Sequence, residues 1–337
     1  MAATRSSRAA DRRARQEIEG RTERRIYLVV AVVGAVVLAI IAAGIILTVV
    51  LPPRSTVVKV GDREFTARDL ATRLKYAVFV EQNSSVVTDP AGGIPVLTRE
   101  ELLRQKAGEL GVTDVTDEEM AKELRKRAGV AEDASEENFR TAYDAYLKPF
   151  PLSRDEFEAV VRVSVLRQKA ADAFKAKVPE AGTQLHILGV TSTDREQLEA
   201  LRAAVAGGKP FEAEAIARGL GKEGQVDFSW VDPASLPEGR ASLRTLKAND
   251  LSELIVDERG GIFLAQISER DENRKYDDAM KAQIANRQLL EWIKQQETAL
   301  VGPSSLSGSA KSWVARQVKG ALSDATRKAQ EAQQVKK

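Results

Sequence analysis

Residues 26–51 contain no charged side chain. As a helix, these 26 residues extend ~39 Å at about 1.5 Å per residue. A bilayer's hydrocarbon core is about 30 Å thick, so such a helix crosses it with some tilt. A buried soluble helix would carry polar positions on some face, and here only Tyr27 and Thr48 are polar. The run exceeds a signal-peptide apolar core of about 7–15 residues, and its exit, Thr-Val-Val-Leu-Pro-Pro, offers no small-x-small cleavage site. An uncleaved transmembrane helix over 26–51 is therefore expected. Arg21, Arg24 and Arg25 abut its start, whereas Arg54 stands alone beyond it. The positive-inside rule then puts a basic tail, 1–25, in the cytoplasm and the bulk of the chain outside the cell membrane, with a single pass.

Charge is concentrated in that tail. Residues 1–25 hold eight Arg against four acids, while the whole 337-residue chain has a net charge of only +2. The remainder is close to neutral, so a general nucleic-acid surface is not expected. The absence of Cys excludes disulfides, thiol nucleophiles, iron–sulfur clusters and Cys-ligated zinc. A single His excludes His-rich metal centres. No metal and no cofactor is expected.

Pro52-Pro53 breaks the apolar helix and opens a helix-rich stretch to about residue 178. Helix starts are expected where a hydroxyl precedes a Glu by three positions: Thr98 with Glu101, Thr116 with Glu119, Ser153 with Glu156. Leu152 to Phe174 reads as one long helix whose apolar side shifts from Phe157, Val160 and Val161 to Val163, Leu166 and Ala170, as suits a helix touching two bodies. After Pro179 the pattern changes. Gln184–Val190, Val226–Val231 and Ile262–Ile267 read as strands. A helix capped by Thr193 and Glu196, and a short one over Phe211–Arg218, lie between the first two. Tyr276–Leu300 returns to helix. Gly302–Gly308 is a Ser/Gly-rich linker, and Lys311–Lys337 is a basic helix. It carries Trp313, Val314, Val318, Ala321 and Leu322, which leaves two readings, weak docking on anionic lipid or a partner and a solvated tail; because the apolar stripe fades after Leu322, the solvated tail is the expectation.

Gly219-x-Gly221-x-x-Gly224 has the letters of a dinucleotide fingerprint. That chemistry needs a strand before the glycines and a helix starting on them. Here a helix precedes and a strand follows, so the segment reads as a turn. A Ser–His–acid site would have to use His186, with no Ser in a nucleophile elbow.

Three blocks carry a family resemblance. Val60-Gly61-Asp62-Arg63-Glu64-Phe65-Thr66-Ala67-Arg68-Asp69-Leu70, the stretch Glu100–Met120, and Leu152–Lys169 followed by Val178-Pro179 resemble the helical chaperone domain of the SurA/PrsA/PpiD group of extracytoplasmic folding factors. Leu185-His186-Ile187-Leu188, Gly208-Lys209-Pro210-Phe211, Asp227-Phe228-Ser229-Trp230 and Gly261-Ile262-Phe263-Leu264 resemble a parvulin-type peptidyl-prolyl isomerase module. Parvulins carry two strand histidines joined through a hydrogen-bond network. Only His186 matches, and Phe263 stands where the second would be. The apolar cradle for the proline ring is represented by Leu236.

The resemblance implies an α+β chain: a transmembrane helix, an all-α SurA-like domain over 55–178, a small parvulin-like domain over 180–272, and C-terminal helices. In the family, the helix after the isomerase module packs back on the chaperone domain, a role that falls here to 275–300. That leaves 301–337 as linker and basic helix. The implied function is a membrane-anchored factor that binds unfolded or nascent secreted polypeptides, with a parvulin-like module of weak or lost activity. The alternatives are an active isomerase and a membrane-tethered scaffold. His186 is the candidate catalytic residue, and Leu236, Phe263 and Trp230 are candidate substrate-binding residues. The sequence leaves the oligomeric state open.

Overall fold

The structure is a computed structural model that describes residues 33–222, 224–257 and 260–334. The tail 1–25 and the first turns of the 26–51 segment lie outside the described residues. In chain order the first half contains α1 (Val33–Arg54), β1 (Thr56–Val60), β2 (Arg63–Thr66), α2 (Ala67–Phe79), α3 (Ile94–Lys106), α4 (Asp117–Arg127), α5 (Glu136–Leu147) and α6 (Arg154–Lys175). The second half contains β3 (Ala181–Ser192), α7 (Arg195–Ala206), α8 (Phe211–Ala217), β4 (Asp227–Val231), β5 (Ile255–Val256), β6 (Ile262–Lys275), α9 (Asp278–Leu300) and α10 (Gly308–Gln334). The fold is α+β.

Two compact units form. Of the described residues, one comprises 33–98, 134–160 and 301–334; the other comprises those of 99–133 and 161–300. Two of the four boundaries fall inside α3 and α6; the others fall between α4 and α5 and at the end of α9.

In the first unit, α1 is long and apolar enough to cross a membrane; Val33–Leu51 is exposed throughout, and Pro52 and Pro53 at its end are buried. The stretch that follows opens with a β1–β2 hairpin, which the expectation of an all-helical 55–178 did not include. Its turn is Gly61-Asp62, and Gly61 has φ 56°, a left-handed conformation that costs a glycine little. The hairpin leads directly into α2. There the Thr66 hydroxyl accepts from the Asp69 N–H, and the Asp69 carboxylate accepts from the Thr66 N–H at 2.7 Å. Val57, Val58, Val60, Phe65, Leu70 and Leu74 are buried.

The C-terminal chain completes this core. The Gly302 N–H donates to the Lys59 carbonyl at 2.9 Å, and the Ser305 N–H donates to that of Val57 at 3.0 Å. α10 packs on α2 with Ala310, Val314 and Val318 buried, one side chain every four residues. The expected solvated tail is thus, over its first half, a packed helix. An aromatic cluster lies elsewhere in the unit. Phe157 is fully buried among Tyr76, Tyr143, Tyr146 and Phe150, with ring centroids 5.6–6.3 Å away. The Tyr143 hydroxyl donates to Glu158 at 3.1 Å. Burial, with the Glu158 charge adding to it, pushes its ionisation well above the ordinary phenol range.

In the second unit the Thr116–Glu119 box caps α4, as expected. Glu119 also pairs with Lys169 of α6 at 2.8 Å, and that bond is the main cause holding its carboxyl below the usual range. Ser153 and Glu156 likewise close their box at the start of α6, in the first unit. Thr98 and Glu101 do not cap a helix. α3 already runs from Ile94, the buried Thr98 hydroxyl donates to the Ile94 carbonyl at 3.0 Å, and the buried Glu101 pairs with Arg104. The helix after β3 is capped by Asp194 rather than Thr193.

The four strands form one antiparallel sheet in the order β4-β3-β6-β5. Side chains alternate across it. One face carries Val190 and Leu264 against Leu198, Leu201, Val205 and Phe211 of α7 and α8. The other carries Leu185, Ile187, Phe263, Ala265 and Ile267 against Leu236, Leu243 and Leu246. The Gly219–Gly224 segment is the turn between α8 and β4, with φ 71° and 74° at its outer glycines.

α9 buries Met280, Ile284 and Ala285 against Tyr276, Val178 and the half-buried Phe174. A part-buried ion pair ties it to the end of β4: Arg287 Nη2 lies 2.8 Å from Asp232 Oδ2. Burial pushes the nearby Tyr276 hydroxyl's ionisation up, with Asp232 acting in the same direction and Arg287 against it. Asp232→Ala strands a part-buried guanidinium, which costs about 2–3 kcal/mol once the Glu291 contact is allowed for. Chemical denaturation of the full chain should show this loss. Asp232→Ala combined with Arg287→Met should recover most of it.

Candidate functional site

The single histidine sits on β3 between Leu185 and Ile187. These two point into one apolar layer, so alternation turns His186 to the opposite face. β4 brings Trp230 directly opposite it. On β6 the register slips: His186 pairs with Glu269 and Ile187 with Ile267. Ser268 is the extra residue of this bulge, and bulges re-aim side chains. Here Ser268 Oγ meets His186 Nδ1. On the other side of the ring, Nε2 lies 3.2 Å from Asp227 Oδ1. In the neutral ring this places the hydrogen on Nε2, donating to the carboxylate, and leaves Nδ1 to accept from the Ser268 hydroxyl. That hydroxyl also lies 3.1 Å from the His186 carbonyl, an alternative acceptor for its one hydrogen.

The His186 side chain is 20% exposed, so the ring is reachable but mostly covered. Its ring centroid lies 5.3 Å from that of Trp230, at 55°. The Arg274 guanidinium stacks 3.8 Å from the Trp230 ring. The Asp227 carboxylate is held by its own backbone: the Ser229 N–H donates to it at 2.6 Å, in a turn where Ser229 has φ 61°.

Asp227, His186 and Ser268 are the three residue types of a hydrolytic relay, in contact through the imidazole. Ser268, however, lies within a strand rather than on a strand-to-helix elbow, and its hydroxyl is turned onto the histidine's own backbone. The arrangement suits an oriented imidazole that can donate or accept one proton. Among the described residues no cluster of three metal-ligating side chains occurs.

The other two candidates belong to the opposite face. Phe263 is buried with Leu236, Leu243 and Ile255 around it. Arg240 covers its ring at 3.7 Å, and Phe228 meets it edge-on at 5.9 Å. This approach is possible because residue 189 is glycine: a Cβ there would come within 2.7 Å of the Phe263 ring. Phe228 is 44% exposed. Phe263 pairs with Thr191, five positions along β3 from His186, or about 17 Å at about 3.4 Å per residue. The structure thus joins His186 to Trp230 and Phe263 to Leu236, and keeps the two pairs apart.

Ser268, Arg274 and Arg240 had no assigned role in the sequence reading, and Asp227 stood there only as a letter in a block. Of these, only Asp227 had a local signal. Ser268 reaches His186 solely through the bulge.

No family model matches the chain, and no curated protein matches it. Solved structures do. The peptidylprolyl isomerase PrsA of Bacillus cereus is 15% identical with a TM-score of 0.35, covering 80% of this chain and 99% of that one. The foldase protein PrsA of Lactococcus lactis is 14% identical at 0.31, covering 81% and 93%. A SurA-like chaperone of Campylobacter jejuni is 12% identical at 0.25, covering 73% and 94%. In structure the chain is similar to PrsA and SurA-like proteins.

Proposed function

We propose that this chain is a membrane-anchored extracytoplasmic folding factor. It binds unfolded secreted or membrane polypeptides, and its parvulin-like module over 180–272 has weak or no isomerase activity. The observation that carries the weak-activity reading is the separation of His186 from Phe263 along β3 and across the sheet. Prolyl isomerisation makes no covalent bond to an enzyme; the barrier of about 18–20 kcal/mol comes from amide resonance. An enzyme lowers it by favouring the twisted amide, with an apolar pocket for the ring beside a poised donor. Here the donor, His186 with Trp230, and the apolar wall, Phe263 with Leu236, lie on opposite faces. Client binding needs apolar surface only, and 55–178 with its motif blocks is the domain to which that role falls. α1 supplies the anchor, with the Arg-rich tail on the cytoplasmic side.

The test is made on the full chain in detergent or nanodiscs, with three readouts on the same samples. The wild type should suppress aggregation of unrelated unfolded proteins while accelerating isomerisation of a proline peptide little or not at all. His186→Ala should leave aggregation suppression intact. It should cost about 1–3 kcal/mol in stability, because Asp227 and Ser268 lose their partner. Phe263→His should restore no turnover and should destabilise by about 3 kcal/mol, since it replaces a buried phenyl ring. Robust wild-type turnover that collapses in His186→Ala, with the fold unchanged, would establish an active isomerase instead. One stoichiometric partner with no general holdase effect would establish a scaffold.

A further inference from the structure

α1 ends at Pro52-Pro53. Neither proline has an N–H, so the Thr48 carbonyl has no helical donor four or five residues on. The last regular turn is correspondingly wide: Ile46–Val50 is π-helical, closed by the Leu51 N–H donating to the Ile46 carbonyl at 2.9 Å. The orphaned Thr48 carbonyl is met from far along the chain. Arg316 Nη2 of α10 lies 3.4 Å from it, and a cation also suits the negative end of a helix. In or near a bilayer an unsatisfied carbonyl is costly, so this cap has a physical purpose.

The cap sets α10, already packed on α2, beside the end of α1. Ala310, Val314 and Val318 face α2. At about 100° per residue, Ser312, Arg316, Lys319, Ser323 and Arg327 share the opposite side, and all are exposed, with Arg327 also paired to Asp324 at 2.9 Å and Glu331 at 3.9 Å. Trp313 flanks them, half-buried. From Gly308 to Gln334 the helix carries five basic residues against two acidic ones. A basic stripe beside the end of an apolar helix matches the anionic phosphates of a membrane surface.

We propose that α10 lies on the bilayer surface at the exit of α1, with Arg316 capping that helix and Lys319 and its basic neighbours binding anionic phospholipid headgroups. The inference rests on the reading of α1 as a membrane anchor.

The chain has no Cys, so Ser323→Cys gives a single labelling site on the outward face. The full chain, labelled there with a fluorophore, is reconstituted into vesicles of phosphatidylcholine, or of phosphatidylcholine with phosphatidylglycerol. Each set carries a headgroup-linked spin-label quencher. Quenching should be strong in the phosphatidylglycerol vesicles, weaker in phosphatidylcholine alone, and reduced by raised salt. Lys319→Gln with Arg327→Gln, which leaves the Arg316 cap in place, should lower the ratio of docked to undocked helix on the order of thirty-fold, while an unchanged melting transition shows the fold intact. Equal quenching in both vesicles, or no response to the double substitution, would overturn the proposal. Alkaline carbonate extraction separates the two readings: release of the chain overturns the anchor and this inference with it, whereas retention without quenching overturns this inference alone.

Discussion

A Val314→Asp substitution is expected to unfold the first unit. Val314 is fully buried where α10 packs on α2. A carboxylate at that buried position loses its hydration, and such a charge costs several kcal/mol. The lost packing of the valine adds about 1.5–3 kcal/mol. The sum approaches the whole stability of an ordinary domain, about 5–15 kcal/mol. Removal of residues 301–337 should act in the same way, because it also deletes the two backbone hydrogen bonds to β1. Circular dichroism melting with limited proteolysis of 52–98 is the check. Ser323→Asp, on the exposed side of the same helix, serves as the control and should shift stability by less than about 0.5 kcal/mol. An unchanged transition in Val314→Asp would show that α10 is not part of the core.

The second large effect is expected at Phe157. Its ring is fully buried among Tyr76, Tyr143, Tyr146 and Phe150. Phe157→Ala removes the centre of that cluster and leaves a cavity bounded by rings with little freedom to collapse inward. The cost should be about 3–5 kcal/mol. Phe157→Leu, which refills much of the volume, should cost less than half of that. The comparison with Phe228→Ala is informative: that ring is 44% exposed, so its loss should cost about 1 kcal/mol or less. Urea unfolding of the full chain followed by tyrosine fluorescence measures the first pair. Equal costs at Phe157 and Phe228 would mean that the cluster packs no better than the surface.

How legible all this was follows the range of the interactions. The uncharged run before Pro52, the long α6, the period-two strands β3 and β6, and the Thr116–Glu119 and Ser153–Glu156 caps each depend on residues within a few positions of one another. Such signals survive in the sequence. The turn at Gly219–Gly224 was equally readable, since the order helix, glycines, strand is local.

Thr98 and Glu101 mark the limit of that reading. They have the letters of a cap, but Ile94 to Leu97 already form a helical turn ahead of them, so Thr98 bonds backwards instead. The β1–β2 hairpin was hidden for another reason. Two strands this short do not stand alone, and these are completed by Val301 to Ser305 from the far end of the chain.

The sequence by itself determined the anchor candidate, the α+β class, most helices and the identity of the one imidazole. The tertiary structure alone decided that α10 belongs to the first unit, and that Arg316 answers a carbonyl orphaned by two prolines. It also decided that Ser268 turns onto His186 while Phe263 faces the other way. The physical reason is common to all four. Each depends on a register or a packing partner set by residues some 80 to 270 positions apart, or on a bulge that shifts alternation by one, and side-chain patterning records neither.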